Sequence, residues 1–293
     1  MISHRCAVLH NPERVVLLGG SGFIGRAIQA RLQADGIPML SLTSSEVDLT
    51  LPIAAEQLSK LLKSSDAVVM LSALTPDKGR DIATLMKNIA MMQHLCSALG
   101  QTGCSHLVYF SSDAVYDTAI ARVTESTPAS PQDLYGAMHR TREIMAAGIR
   151  APLLILRPTL VYGVHDTHNA YGPNRFRRMA QKEGKITLFG RGEEMRDHVH
   201  VEDIATLTVR CLQQQSTGVL NMATGVSNSF HDVAGLVARQ FGKRVEVVET
   251  SRANPITHRH YDVTNLIKVF PDFRFIALQD GIARCHNETT GVA

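Results

Sequence analysis

Val15-Val16-Leu17-Leu18-Gly19-Gly20-Ser21-Gly22-Phe23-Ile24-Gly25 is the stretch from which the rest of the chain can be read. Four apolar residues predict a buried strand, and the apolar spacing over residues 25–34 predicts a helix directly after it. Between them the glycines fall at GxxGxxG. Glycine permits the tight turn, lets the backbone approach a pyrophosphate, and lets helix pack on strand. The helix N-terminus then faces the phosphate charge. Gly19, Gly22, Phe23, Ile24 and Gly25 are therefore expected to bind a dinucleotide.

Strand and helix signals keep alternating beyond this loop. Residues 39–42, 67–71, 107–110 and 153–156 read as strands, and residues 53–62, 82–99 and 134–147 as helices. That rhythm means βαβ units. The fold class expected is α/β, a Rossmann-type doubly wound parallel sheet with a smaller α/β substrate-binding lobe. The rhythm breaks after Tyr162-Gly163, where a polar segment and the Gly172-Pro173 turn signal follow. Residues 12–164, with about 200–224, are assigned to the nucleotide-binding domain, and 165–199 with 225–293 to the smaller lobe.

Bulk properties narrow the function classes. The 293 residues are 44% hydrophobic and 19% charged, a globular rather than a disordered balance. A net charge of +3, from 30 basic and 27 acidic side chains, does not supply the concentrated basic face of a nucleic-acid binder. It leaves room for a local basic pocket for an anionic small molecule. Cys6, Cys96, Cys104, Cys211 and Cys285 are scattered and form no CxxC pair, which argues against a disulfide framework or a zinc site. The histidine pairs His165/His168, His198/His200 and His258/His260 lack a surrounding carboxylate or cysteine framework, so no metal is expected. His198 and His200 alternate along a presumed strand, which predicts that one of them faces the lobe interface. Residues 1–12 lack the apolar stretch of a signal peptide, and no apolar run is long enough to span a membrane. A cytoplasmic setting without membrane contact is the expectation.

The second strand should carry the residue that selects the cofactor. An acidic side chain there would hold the ribose 2′-hydroxyl. The strand instead runs into Thr43-Ser44-Ser45, small hydroxyls that can admit a 2′-phosphate, with Arg26 as a candidate neighbour. The cofactor is expected to be NAD or NADP, with a lean to NADP. Asp48 reads either as an adenine contact or as a helix cap ahead of Leu51-Pro52. Leu49, and Leu71 and Ala73 after the third strand, complete the expected cofactor contacts.

Five motifs occur in order: the glycine loop, Tyr109-Phe110-Ser111-Ser112-Asp113-Ala114-Val115-Tyr116, Tyr135-Gly136, Arg157-Pro158 with Val161-Tyr162-Gly163, and Arg196-Asp197-His198-Val199-His200-Val201. Together they resemble an extended short-chain dehydrogenase/reductase of the NAD-dependent epimerase/dehydratase family, from about Arg14 to Arg284. The resemblance implies a nucleotide-diphosphate-sugar substrate. It makes Tyr135 the active-site tyrosine and Ser112 the strand-end hydroxyl. A phenol in reach of a sugar hydroxyl exchanges its proton while hydride moves to or from nicotinamide C4, and a second hydroxyl holds the reacting oxygen.

The departures are informative. The family carries lysine four residues after the tyrosine, where this chain has His139. Lysine supplies a fixed charge that lowers the tyrosine pKa, and it contacts the nicotinamide ribose. Histidine is shorter and, with a reference pKa of about 6.5, mostly neutral near pH 7, yet it can still bond a ribose hydroxyl. Asp113 stands where the family's dehydratases carry aspartate, but Ala114 replaces the glutamate that follows, so the acid–base pair of a 4,6-dehydratase is incomplete. Arg196, Arg252 and Asn174 are the candidates for the diphosphate. Leu160 occupies the place of an asparagine found in many epimerases, which disfavours a UDP-hexose 4-epimerase.

The expected activity is that of an NAD(P)-dependent nucleotide-diphosphate-sugar epimerase or 4-ketoreductase. The alternative, raised by His139, is a catalytically silent NAD(P)-binding sensor or scaffold. A homodimer is expected through helices 82–99 and 134–147, with Leu85, Ile89 and Met92 as an apolar stripe.

Overall fold

A computed structural model of the chain describes residues 1–242, 245–252 and 254–291. Strand β1 (Val15–Leu18) is apolar and wholly buried, and α1 (Phe23–Ala34) follows it, burying Phe23, Ile28 and Leu32 along one stripe. The alternation then runs through β2 (Met39–Leu42), α2 (Ala54–Leu61), β3 (Ala67–Met70), α3 (Ile82–Thr102), β4 (His106–Phe110), the short β5 (Arg122–Val123), α4 (Leu134–Ala147) and β6 (Leu153–Pro158). After β7 (Leu160–Tyr162), α5 (Pro173–Glu183), β8 (Lys185–Phe189), β9 (Met195–His200) and α6 (Val201–Gln213), the chain returns to the main sheet as β10 (Gly218–Met222).

The six-stranded sheet has the order β10-β6-β4-β3-β1-β2, and every pairing in it is parallel. One face packs on α1 and α6 through Ile28, Leu32, Ile204 and Leu207. The other packs on α2, α3 and α4 through Leu58, Leu95, Leu99 and Ala146. This is the doubly wound α/β arrangement. From β1 the chain moves to β2 on one side, then crosses over to β3 on the other, so the strand order reverses at β1. The loops after β1 and β3 therefore part there and open a crevice, the place where such sheets bind ligands.

The remaining elements are β11 (Ser227–Ser229), α7 (Phe230–Gln240), β12 (Glu246–Thr250), β13 (His260–Tyr261), α8 (Thr264–Val269) and α9 (Leu278–Thr290). They contribute to small sheets ordered β11-β9-β7, β12-β8 and β13-β5. A separate core of Tyr162, Phe176, Leu188, Phe230, Val233 and Ile282 lies under them. β7 already pairs with β9 rather than with the main sheet, and Tyr162 packs in this second core. His198 and His200 are both buried, with rings against Phe230 and Tyr162 respectively.

Helix α3 corrects the expected dimer stripe. Met92 is wholly buried in the chain's own core with Met91, Leu95 and Leu99, because these residues share the face that α3 lays on the sheet. The exposed apolar residues of the two helices are Ile82, Met86, Leu134 and Ile144. Among the described residues no helix is long and apolar enough to cross a membrane.

A buried clamp fixes α4 against the sheet. The Arg157 guanidinium donates to both Glu143 carboxylate oxygens at 2.8 and 2.7 Å, Ser111 donates to Glu143 at 2.7 Å, and Arg157 reaches the Tyr116 oxygen at 2.8 Å. Bidentate pairing in a dry interior is directional as well as strong. It sets the distance between α4 and the end of β4, where the site lies.

Candidate active site

The chain turns sharply after β4 in a 3-10 turn, Asp113–Val115. The Ser112 hydroxyl accepts from the Ala114 amide at 3.2 Å and so caps this turn. Opposite it, the Asp133 carboxylate caps α4 by accepting from the Gly136 amide at 2.8 Å. The two turns touch: a Cβ on Gly136 would stand 2.1 Å from the Ala114 carbonyl oxygen. Glycine at 136 is thus what brings Tyr135 beside Ser112. Burial, and then the Asp113 charge, push the Tyr135 phenol up to about 12, while Ser112 and Arg142 pull the other way. At neutral pH it is a protonated phenol, a proton donor.

His139 lies one turn further along α4, its ring perpendicular to that of Tyr135 with centres 4.7 Å apart. Its Nδ1 is 2.7 Å from the Tyr109 hydroxyl, while Nε2 is buried without a partner among the described residues. Burial and the Arg142 charge hold it neutral, well below the ordinary histidine range. Burial likewise keeps the Tyr109 phenol protonated. The phenol is the better donor of the two, so its proton points at Nδ1 and the ring proton sits on Nε2. Nε2–H is then a donor awaiting an acceptor.

The glycine loop supplies the matching cradle. A Cβ on Gly25 would lie 2.5 Å from the Gly19 carbonyl, so only glycine lets α1 close onto the loop. The N-cap of α1 is Gly22, with no side-chain cap and no acidic residue in the first turn. Its free N–H groups suit an anion. Leu71 and Ala73, in the segment after β3, are both half-buried, and Leu49 is buried. These residues and the unpartnered Nε2 of His139 fit a nicotinamide dinucleotide.

Asp48 resolves into a local cap: its carboxylate accepts from the Thr50 amide and hydroxyl at 2.9 and 2.7 Å, while α2 starts later, after Ile53. The strand-end reading passed over Glu46, which accepts from the Thr43 amide at 2.8 Å. Arg26 donates to the Ser21 carbonyl at 2.9 Å, on the rim of the glycine loop.

On the substrate side the structure gathers residues far apart in sequence. Arg196 and Arg252 meet at Glu194, with nitrogen–oxygen distances of 3.6 and 3.2 Å. Arg252 also donates to the Phe189 carbonyl at 2.8 Å. A cavity of about 190 Å³ is lined by Asp113, Gln132, Asp133, Arg196, Thr257 and Arg259. A second, of about 320 Å³, has Tyr135, Met138, Leu74 and Leu85 on its walls. Leu85, expected on a dimer stripe, therefore borders the site. Asn174 is elsewhere: it is buried and accepts from the Gly163 amide at 3.1 Å, ordering the turn after β7. A larger cavity, about 670 Å³, lies between α7 and residues 275–279, and no expected site residue lines it.

Four site residues escaped the motif reading. Tyr109 and Arg142 flank His139, Tyr261 donates to the Asp113 carboxylate at 2.6 Å, and Arg259 is buried with Nη1 unpartnered among the described residues. Tyr109 lies inside a motif but one residue outside its chemistry. Arg142 shares one face of α4 with Tyr135 and His139 but belongs to no motif, and Tyr261 and Arg259 sit at no recognisable spacing. Among the described residues no group of three or more His, Cys, Asp or Glu is placed to hold a metal.

Comparison with known proteins gives the family. The profile of the NAD dependent epimerase/dehydratase family matches residues 15–223. The chain is similar to the GDP-L-fucose synthase of Escherichia coli, 22% identical over 92% of this chain and 94% of that protein. It is also similar to the dTDP-4-dehydrorhamnose reductase of Mycobacterium tuberculosis, 27% identical over 83% of this chain and 77% of that protein. Among solved structures, a GDP-L-fucose synthetase from Naegleria fowleri bound to NADP superposes with a TM-score of 0.83 at 17% identity, over 100% of this chain and 99% of that one.

Proposed function

Because the chain belongs to the NAD-dependent epimerase/dehydratase family, we propose that it is an NAD(P)-dependent enzyme of nucleotide-diphosphate sugars and, within that class, a 4-ketoreductase. One arrangement supports the reading. Tyr135 stands beside Ser112 as a protonated phenol, with a neutral histidine where the family has lysine. Reduction of a carbonyl needs an acid at the oxygen; the opening oxidation of an epimerase needs a base there. A protonated phenol serves the reductive direction as it stands, and the choice of that direction rests on the relative's name. The name of the Mycobacterium tuberculosis relative, a reductase of a 4-dehydro sugar, agrees with this direction.

The roles follow from placement. Ser112 holds the carbonyl oxygen, and Tyr135 gives that oxygen its proton. The bound reduced nicotinamide supplies the hydride. Gly19, Gly22, Phe23, Ile24 and Gly25 hold the pyrophosphate, and Nε2–H of His139 donates to the ribose. Asp113, itself held by Tyr261, orients the sugar. Arg196 and Arg252, with Arg259 at the cavity wall, take the diphosphate. Asn174 acts through the turn at Gly163. NADP is the favoured dinucleotide, since the carboxylate nearest the end of β2, that of Glu46, is engaged with Thr43, and since Arg26 borders the loop.

The test starts with a thermal-shift screen of NADPH and NADH against UDP-, GDP-, CDP- and dTDP-sugars, because a ligand that binds the folded state raises its melting temperature. Loss of NADPH absorbance with a 4-keto sugar, yielding the 4-hydroxy sugar, is the expected result. Tightly retained NAD with interconversion of epimers and no net NADPH use would make the protein an epimerase. Binding of both ligands without turnover would make it a sensor.

A further inference from the structure

Arg142 is wholly buried, and no acidic side chain lies within salt-bridge distance of it among the described residues. The neighbouring Glu143 is engaged with Arg157, Ser111 and Arg140 instead. The Arg142 guanidinium donates to the Ser72 carbonyl at 2.8 Å, and its Nε has no partner among the described residues. Its central carbon lies 5.2 Å from the centre of the Tyr109 ring, a cation–π approach. Arginine cannot shed its charge, and a buried cation without a counter-ion is costly. Such a group persists where the charge is put to use.

The use is indicated by the helix. Tyr135, His139 and Arg142 fall at i, i+4 and i+7, one face of α4. Arg142 reaches back from that face to Ser72, at the end of β3, where the dinucleotide crevice opens. We propose that Arg142 supplies the fixed positive charge that His139 cannot, so that Tyr109, His139 and Arg142 together replace a single lysine. The two duties of that lysine are divided. The hydrogen bond to the ribose falls to Nε2 of His139, in the tautomer Tyr109 imposes. The charge that steadies the Tyr135 phenolate, formed as its proton leaves, falls to Arg142. Burial, and then the same cation, keep His139 neutral and able to carry that tautomer. Arg142 is a positioning residue that acts through the field at Tyr135 without touching substrate.

The inference rests on Tyr135 as the proton donor, and the test keeps the two separable. Arg142→Met and Arg142→Gln remove the charge, Arg142→Lys keeps it, and the double variant Arg142→Met/His139→Lys returns it at the family's position. Measured on the NADPH-loaded protein, the uncharged variants should lose about tenfold to a thousandfold in kcat, as for loss of one preorganised electrostatic group, with KM and the NADPH Kd within about threefold. Arg142→Lys should retain most of the turnover, and the double variant should recover at least about tenfold over Arg142→Met. A merely structural Arg142 would not be rescued from position 139. Wild-type kcat in a folded Arg142→Met or Arg142→Gln protein overturns the proposal, as does a double variant no faster than Arg142→Met. If Tyr135→Phe turns over normally, it is the proton-donor assignment that fails, whatever the Arg142 variants do.

Discussion

Nδ1 of His139 lies 2.7 Å from the hydroxyl oxygen of Tyr109, so a residue in the middle of the sheet sets the orientation and tautomer of a ring on the helix above it. Tyr109→Phe keeps the packing and deletes only the hydroxyl, which leaves a buried nitrogen without its partner. Stability should fall by about 1–3 kcal/mol, the cost of an unsatisfied buried polar group. NADPH affinity should fall with it, because the tautomer is no longer fixed. Urea unfolding and a fluorescence titration with NADPH check both; an unchanged Kd would show that His139 does not depend on Tyr109.

Tyr135→Phe removes the acidic proton and preserves the ring that stacks edge-on with His139. Turnover should drop by roughly two to four orders of magnitude, the usual contribution of a general acid. NADPH binding should survive, since the glycine loop and α1 carry it. Single-turnover kinetics with a 4-keto sugar nucleotide measure the chemical step, and a wild-type rate would remove Tyr135 from the mechanism.

Glu194 bridges Arg196 and Arg252, and a carboxylate in that place competes with a diphosphate for the same two cations. Arg196→Ala and Arg252→Ala should each weaken nucleotide-sugar binding by about 1.5–3 kcal/mol, the loss of a charge-assisted bond, with little change in cofactor affinity. Glu194→Gln should act in the opposite direction and tighten binding. Calorimetry with the nucleoside diphosphate alone is sufficient; loss of NADPH binding in either arginine variant, with sugar nucleotide still bound, would reverse the assignment of these residues.

His106, at the start of β4, donates from Nε2 to the Ser216 carbonyl at 2.8 Å, and burial pushes it down to about 4. Its folded pKa lies below its unfolded value, so its contribution to stability is present above that unfolded value and is lost as pH falls toward 4. Between those limits the unfolded chain binds the extra proton, and at pH 5 the loss from this one group is about 2 kcal/mol. Asp197 and Asp203 are pushed up to about 6 by burial and work in the opposite direction over the same range. The informative quantity is therefore the difference between wild type and His106→Gln, whose amide can still reach Ser216. Its acid destabilisation from pH 7 to pH 5 should be smaller than that of wild type; equal urea midpoints shifts in the two proteins would place the protonation elsewhere.

Two copies are expected to pair through α3 and α4, now through Ile82, Met86 and Ile144 rather than through Met92. Light scattering at micromolar concentration should give twice the chain mass, and Met86→Glu with Ile144→Glu should return it to a monomer, since a charge is costly to bury at an apolar contact. A monomeric mass for the unaltered protein would end the dimer reading.

The sequence by itself determined what depends on local pattern. Alternating apolar runs and glycine punctuation fix a parallel sheet and the loop after β1, because period and turn chemistry are properties of neighbours in the chain. The same locality made Tyr135, Ser112 and the anomaly at His139 legible, since each lies in a short motif. What only the tertiary structure decided are meetings across long separations. Tyr109 meets His139, Tyr261 meets Asp113, and Arg252 meets Arg196 through Glu194, and no spacing along the chain encodes these contacts. Arg142 shows the limit most sharply. In sequence it is one more charged helix residue, three positions past His139. In the fold its face of α4 is turned toward the sheet, and burial there makes of an ordinary charged residue a cation with no acidic partner among the described residues, on the same face of α4 as the reacting tyrosine.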